Sequence, residues 1–242
     1  MSPLIGCCGW AEKQSLYLTN FPIIEIQSTF YDPPAAKVAA KWRELAPPEF
    51  TFCIKAWQLI THTPSSPTYR RLRSPIAAED RDHLGSFRDT EQVWQAWKKT
   101  LEIAETLQAK VIVLQCPASF QPVASNLKNL ATFFRKMRKT GPRKPFQVAW
   151  EPRGSWPPEL VRDLCSEFQL LHCVDPFLNQ SAYGDSLYWR LHGKKSYSYR
   201  YTDEDLRYLG EKIAGRSAYV MFNNVSMKED AMRFAQISKV SL

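Results

Sequence analysis

Lys55, Glu151 and His192 are the side chains of this sequence best suited to move protons or hold charge. A lysine set in an apolar strand loses hydration and its pKa falls, which gives either a nucleophilic amine or an anchor for an anion. Glu151 and His192 make a natural acid–base pair, because a carboxylate in a partly closed site is tuned upward and imidazole titrates near neutrality. Arg153 and Arg190 lie close to them in sequence, and arginine grips carboxylate or phosphate through two parallel hydrogen bonds. Asn223 and Asn224 offer both donors and acceptors. A plain structural role stands beside each reading: an interior ion pair for Lys55, a satisfied histidine for His192, loop bracing for Arg153 and the asparagines. His172 reads as packed, and His62 and His83 fall in a loop where substrate contact is the most to expect.

The elements that must position these residues follow from periodicity. Eight short apolar runs have strand character, near residues 4–8, 23–27, 51–56, 111–115, 147–151, 171–175, 187–192 and 217–223. Helical patterns lie between many of them, at residues 35–45, 91–107, 127–137, 157–168, from 202 onward and at 226–237. Strands alternating with helices imply a parallel sheet, and eight of them in 242 residues is the size of a (β/α)8 TIM barrel. The expectation is one irregular barrel domain over residues 1–242, because the connections at 9–22 and 176–186 look too short for full helices. Residues 57–90 form a long, weakly periodic segment after the third strand, of the kind that serves as a lid or binding loop. A doubly wound open sheet is the runner-up, weakened by the lack of any glycine-rich phosphate-binding motif.

Alternation along the strands sets a face. Glu25 with Gln27, Cys53 with Lys55, Val113 with Gln115, Ala149 with Glu151, and Tyr188 with Arg190 and His192 each share one side. Helices cover the outside of a barrel, so this polar set must point inward, and it gathers at the C-terminal strand ends where barrel enzymes place their chemistry. Glu25, Glu151 and Asp175 are then offset by Lys55 and Arg190, a constellation consistent without a metal or cofactor. Glu25, Glu151, Asp175 and His192 could in principle ligate a divalent metal, but four histidines and no H-x-H or H-E-x-x-H give little support, and the inward cations compete. No metal and no cofactor is assigned.

The order of motifs resembles the YecE-like family, a TIM-barrel family of unknown function also called DUF72. The segments that carry the resemblance are Gly6-Cys7-Cys8-Gly9-Trp10, Glu25-Ile26-Gln27-Ser28-Thr29-Phe30-Tyr31, Phe52-Cys53-Ile54-Lys55-Ala56 with Ile60-Thr61-His62, and Leu114-Gln115-Cys116-Pro117-Ala118-Ser119-Phe120. Glu151-Pro152-Arg153-Gly154-Ser155-Trp156, Tyr188-Trp189-Arg190-Leu191-His192-Gly193, Tyr199-Arg200-Tyr201 and Phe222-Asn223-Asn224 complete it. The chain departs from the family pattern at Cys7-Cys8, where Thr-Ser is usual, and at Gln27, where Asn is usual. The resemblance implies a barrel and brings no reaction with it.

The composition narrows the partners. The 242 residues are 44% hydrophobic and 23% charged, with a net charge of +8, which favours phosphate, nucleotide or nucleic acid. No apolar run is long enough to cross a membrane and no signal-peptide layout opens the chain, so a cytoplasmic protein without membrane contact is expected. Six cysteines without a C-x-x-C read as buried, reduced thiols. The basic run Arg135, Lys136, Arg138, Lys139, Arg143 and Lys144 reads as a solvated helix end on the face away from the site. Arg70, Arg71 and Arg73, and Lys194, Lys195 and Arg200, fall on the catalytic face among aromatic residues. Trp10, Tyr31, Trp57, Trp156, Tyr197 and Tyr199 follow strands and either stack on a ligand or pack loops.

Two functions follow as expectations. The first is an enzyme acting on a small anionic, phosphorylated substrate, with Lys55, Glu151 and His192 catalytic and Trp10, Glu25, Tyr31, Gln115, Arg153, Trp156, Arg190, Asn223 and Asn224 binding. The alternative is a protein that binds or processes single-stranded nucleic acid on the same face.

Overall fold

The computed structural model describes residues 2–138, 146–213 and 215–238. Eight parallel strands close into a barrel in sequence order: β1 (Leu4–Cys8), β2 (Ile23–Ile26), β3 (Thr51–Lys55), β4 (Val111–Gln115), β5 (Gln147–Glu151), β6 (Leu171–Val174), β7 (Leu187–Leu191) and β8 (Ala218–Phe222). Closure comes from β1 pairing with β8, with Leu4 opposite Tyr219 and Cys7 opposite Phe222. The fold is the (β/α)8 TIM barrel expected from the alternating pattern.

Alternation in the strands fixes two layers of packing. Ile5, Ile24, Phe52, Ile112, Trp150 and Val220 point outward and join the helices in the main hydrophobic core. Cys8, Ile23, Cys53, Val111, Val113, Ala149, Cys173, Tyr188 and Met221 form a second apolar cluster within the barrel. This plug fills the barrel beneath Glu25, Lys55, Glu151 and Arg190, which are all buried. All six cysteines are buried free thiols. Desolvation raises the pKa of Cys7, Cys116 and Cys165 to about 12, which makes them packing groups rather than nucleophiles.

The helices are α1 (Gln14–Asn20), α2 (Ser28–Tyr31), α3 (Ala36–Leu45), α4 (Gln58–Thr61), α5 (Glu91–Leu107), α6 (Ala124–Met137), α7 (Pro158–Phe168), α8 (Asp203–Ile213) and α9 (Met227–Ile237). The short connection after β1 does accommodate α1, a helix of 7 residues, whereas residues 176–186 hold none. The long segment after β3 is more ordered than expected. It contains α4 and two 3-10 turns, Pro67–Arg71 and Ala78–His83. Backbone N–H groups of Gly85, Ser86 and Phe87 cap the carbonyls of Leu59, Thr61 and Ile60, which ties the end of the segment to α4. Among the described residues no helix is long and apolar enough to cross a membrane.

The basic run at the end of α6 behaves as a solvated helix end. Arg135 pairs with Glu167 at 2.8 Å, Lys136 with Asp89 at 2.6 Å, and Arg138 donates to Gln169 at 2.7 Å. Lys139, Arg143 and Lys144 lie outside the described residues.

Candidate active site

Arg190 on β7 is the hub of the buried polar set. Its Nη1 donates to Glu151 Oε2 at 2.6 Å and to Gln115 Oε1 at 3.1 Å, and its Nη2 lies 3.1 Å from Glu25 Oε1. Burial alone would lower the guanidinium pKa, but Glu151 and Glu25 overcome this and raise it. One planar cation thus satisfies two carboxylates from β2 and β5, three strands apart in the barrel, which the fork geometry of arginine permits and a lysine would not. Glu25 is completed by the Tyr188 hydroxyl at 2.8 Å, the Cys8 thiol and the Gln27 amide. Gln27 is no longer in the strand: its backbone turns helical (φ −85°, ψ −28°) and it caps α2.

Glu151 departs from the sequence expectation. Burial acts to raise its pKa, but Arg190, Arg153, His192 and Lys55 together hold it down to about 2. Its Oε1 accepts two hydrogen bonds from Arg153, at 3.0 and 3.2 Å. A carboxylate this strongly paired is a poor proton carrier at neutral pH; it aims two arginines instead.

Lys55 also departs from expectation, because no described carboxylate lies within ion-pair distance of it. Its Nζ donates to Gln115 Oε1 at 2.9 Å and sits 3.7 Å from the centre of the Phe30 ring. Burial and the neighbouring Arg190 lower its pKa to about 7, against partial support from Glu25 and Glu151. The sign of the stability consequence is definite. Between about 7 and the ordinary value of 10.5 the unfolded chain binds the proton more tightly, so the folded state gains stability as pH rises through that window. Lys55→Met is expected to stabilise the protein by about 1–2 kcal/mol at pH 7, the gain fading as pH approaches 10.5. Urea unfolding of both proteins across this range checks it, and a gain that ignored pH would remove the buried charge as its cause.

His192 stands where β7 leaves the barrel. Asp175 Oδ2 accepts from its backbone N–H at 2.9 Å and faces its Nδ1 at 3.4 Å, while Asp175 Oδ1 accepts from the Phe177 N–H at 3.1 Å. Arg153 Nη2 lies 3.0 Å from His192 Nε2. A guanidinium can only donate, so Nε2 carries the lone pair and Nδ1 carries the proton toward Asp175. Gly193 follows at φ +87°, and a Cβ there would lie 2.1 Å from the Ser196 carbonyl oxygen, so the chain needs glycine to turn away immediately after the histidine. His192, Arg153, Asp175 and Tyr197 line a cavity of about 400 Å³ at the mouth of β5, β6 and β7.

The other candidates divide. Gln115 joins the buried network as the shared acceptor of Lys55 and Arg190. Trp10 packs edge-on against Tyr17 and Trp42. Trp156 stacks on Phe120 and donates to its carbonyl at 3.1 Å, which makes it a loop brace. Asn224 is buried and donates to Asp230 at 2.7 Å and to the Tyr199 carbonyl at 2.8 Å, again a brace. Asn223 is half-buried and extends the sheet through its backbone bond to Leu191. Tyr31 lies apart from the cavity, under Arg71. His172 is packed as expected, accepting from the Ala182 N–H at 2.9 Å, with its pKa lowered to about 4 by burial. Sequence reasoning gave no role to Phe30 and allowed His62 a substrate contact, whereas His62 is buried against Thr61 and Phe30, and Phe30 carries Lys55 on its ring face. Among the described residues no group of three or more His, Cys, Asp and Glu side chains is arranged to hold a metal ion.

The model of a family described as "Protein of unknown function DUF72" matches residues 4–239. A DUF72 family protein from Enterococcus faecalis V583 is similar in structure, with TM-score 0.74 at 15% identity over 100% of this chain and 97% of that one. A second, from Thermotoga maritima MSB8, gives 0.70 at 20% identity over 99% and 100%. A D-psicose 3-epimerase gives 0.57 at 11% identity over 99% and 98%. At these identities the likenesses carry the fold alone. No curated protein matches the sequence.

Proposed function

The chain belongs to the DUF72 family, whose description names no reaction, and from the geometry of its site we propose that it is an enzyme moving a proton on a small anionic, phosphorylated substrate. The observation that carries this reading is the meeting of Arg153 and His192 in one cavity, with Asp175 behind the imidazole. In the free protein Arg153 blocks the lone pair of His192. An incoming phosphate competes for that donor, draws Arg153 toward itself and frees Nε2 as a base. Binding of the anion and arming of the base are then one event. Glu151 keeps Arg153 charged and aimed, and Lys55 and Arg190 set the field of the site from below. The cavity of about 400 Å³ suits a sugar phosphate or a nucleotide.

The test is a thermal-shift screen of sugar phosphates, nucleoside monophosphates and their unphosphorylated parents, with Arg153→Met in parallel. A ligand at about 100 times its Kd adds close to 3 kcal/mol, or roughly 5–10 °C in a chain of this size. At least one phosphorylated compound should give such a shift, its parent should not, and Arg153→Met should abolish it. Equal shifts in the variant, or none from any phosphorylated compound, would sink the reading.

A further inference from the structure

We infer that the long segment after β3 carries a second surface, which binds single-stranded nucleic acid beside the barrel mouth rather than within it. Arg70, Arg71 and Arg73 are exposed, and none forms an ion pair with a described carboxylate. All three line a hollow of about 630 Å³ together with Tyr31 and Trp42. Arg70 also lines an adjoining hollow of about 430 Å³, which holds Arg81 and Tyr69. The guanidinium carbon of Arg71 sits 3.5 Å from the centre of the Tyr31 ring, a stack that leaves the edge of the cation free to donate.

The surface is held in place. The Ser74 hydroxyl donates to Asp32 at 2.7 Å, the Tyr69 hydroxyl to the His62 carbonyl at 2.8 Å, and the Gln58 amide to the Tyr31 carbonyl at 2.9 Å. Asp32 is the acid lining the larger hollow, and the bond from Ser74 occupies one of its oxygens. The other basic group on this side is partly spent, since Lys194 pairs with Asp205 at 2.6 Å. Exposed arginines bind one phosphate weakly in water. Several of them lining two hollows that share Arg70 gain by engaging several phosphates of one chain and releasing their counterions. The aromatic side chains of the larger hollow, Tyr31 under Arg71 and Trp42 beside it, add apolar surface for an unstacked base, a combination that single strands use and a duplex, with its bases stacked inside, cannot.

Fluorescence anisotropy of a labelled oligonucleotide of mixed sequence tests this with the full chain. Engagement of about three phosphates gives a log–log salt slope near −2, so affinity should fall about twentyfold as NaCl rises from about 50 to about 200 mM. Arg70→Ala/Arg71→Ala/Arg73→Ala should lose at least tenfold at the lower salt and flatten the slope. Arg70→Gln/Arg73→Gln keeps the Arg71–Tyr31 stack, guards against misfolding and should show the same direction at smaller size. No binding at low salt, unchanged binding in both variants, or equal affinity for a duplex of the same sequence would overturn the inference. The thermal shift with small phosphorylated compounds depends on Arg153, so failure of either reading leaves the other standing.

Discussion

Arg190→Met is expected to destabilise the protein by about 3–5 kcal/mol at pH 7, roughly 10 °C in Tm, although it removes no hydrophobic contact. Arg190 is 1% exposed and its Nη1 and Nη2 hold Glu151 at 2.6 Å and Glu25 at 3.1 Å. Methionine fills similar space but leaves two carboxylates buried without that cation; Arg153 still meets Glu151, only neutral donors remain on Glu25, and the penalty is the desolvation of charge that these partners offset only in part. The pH dependence identifies the cause. In the native protein Glu151 is held down to about 2 from its ordinary 4.5, so it contributes stability that is present above 4.5 and lost as pH falls toward 2. In the variant the strongest of those lowering influences is gone and burial pushes the other way. Protonation then relieves the strain, and the gap between variant and parent should narrow as pH falls from 7 to 5. Denaturant titrations at the two values decide it. A gap that stayed constant would mean that lost packing, not stranded charge, is responsible.

Glu25 and Glu151 become legible from sequence through one rule and opaque through another. Alternation placed both on the inner face, because helices cover the outside of each strand and leave no other place for charge. The same rule correctly set Lys55 and Arg190 inside. Which cation meets which anion depends on reach across the barrel, and period-2 patterning holds no information about it. Arg190 spans both carboxylates, so Lys55 is left to Gln115 and the face of Phe30. Gln27 tests the same rule at a strand end. It sits one residue past β2, where the backbone turns into α2, yet its amide still meets Glu25 and Arg190 on the inner side, so the shared face that alternation gave it with Glu25 survives the change of backbone. Trp156 and Asn224 look like binders by type and position, yet each is occupied by a nearby carbonyl or carboxylate that only the folded loops supply. The helix α1 escaped notice because 7 residues give too few turns for a hydrophobic stripe to show.

Asp175 has the second large effect, and it acts through His192. Its Oδ2 accepts from the His192 backbone at 2.9 Å and faces Nδ1 at 3.4 Å, so it fixes both the place and the tautomer of the imidazole. Asp175→Asn keeps the size of the side chain and one carbonyl oxygen. If that oxygen stays on the Phe177 N–H, the amide nitrogen takes the place of Oδ2, gives up the bond from the His192 N–H and turns a donor toward Nδ1, and the proton of the imidazole moves to Nε2. That proton would then face Arg153, whose guanidinium has no lone pair to accept it. The ring loses its base at the cavity and gains a repulsive contact in one change. Misplaced tautomers cost an acid–base enzyme about 10²–10⁴ in rate, and kcat on any substrate found for this site should fall within that range while KM moves little. The tautomer itself can be read without a substrate: 15N chemical shifts of His192 should show Nδ1–H in the parent and Nε2–H in the variant. An unchanged Nδ1–H signal beside a lost activity would make Asp175 a brace of the loop rather than the group that arms the histidine.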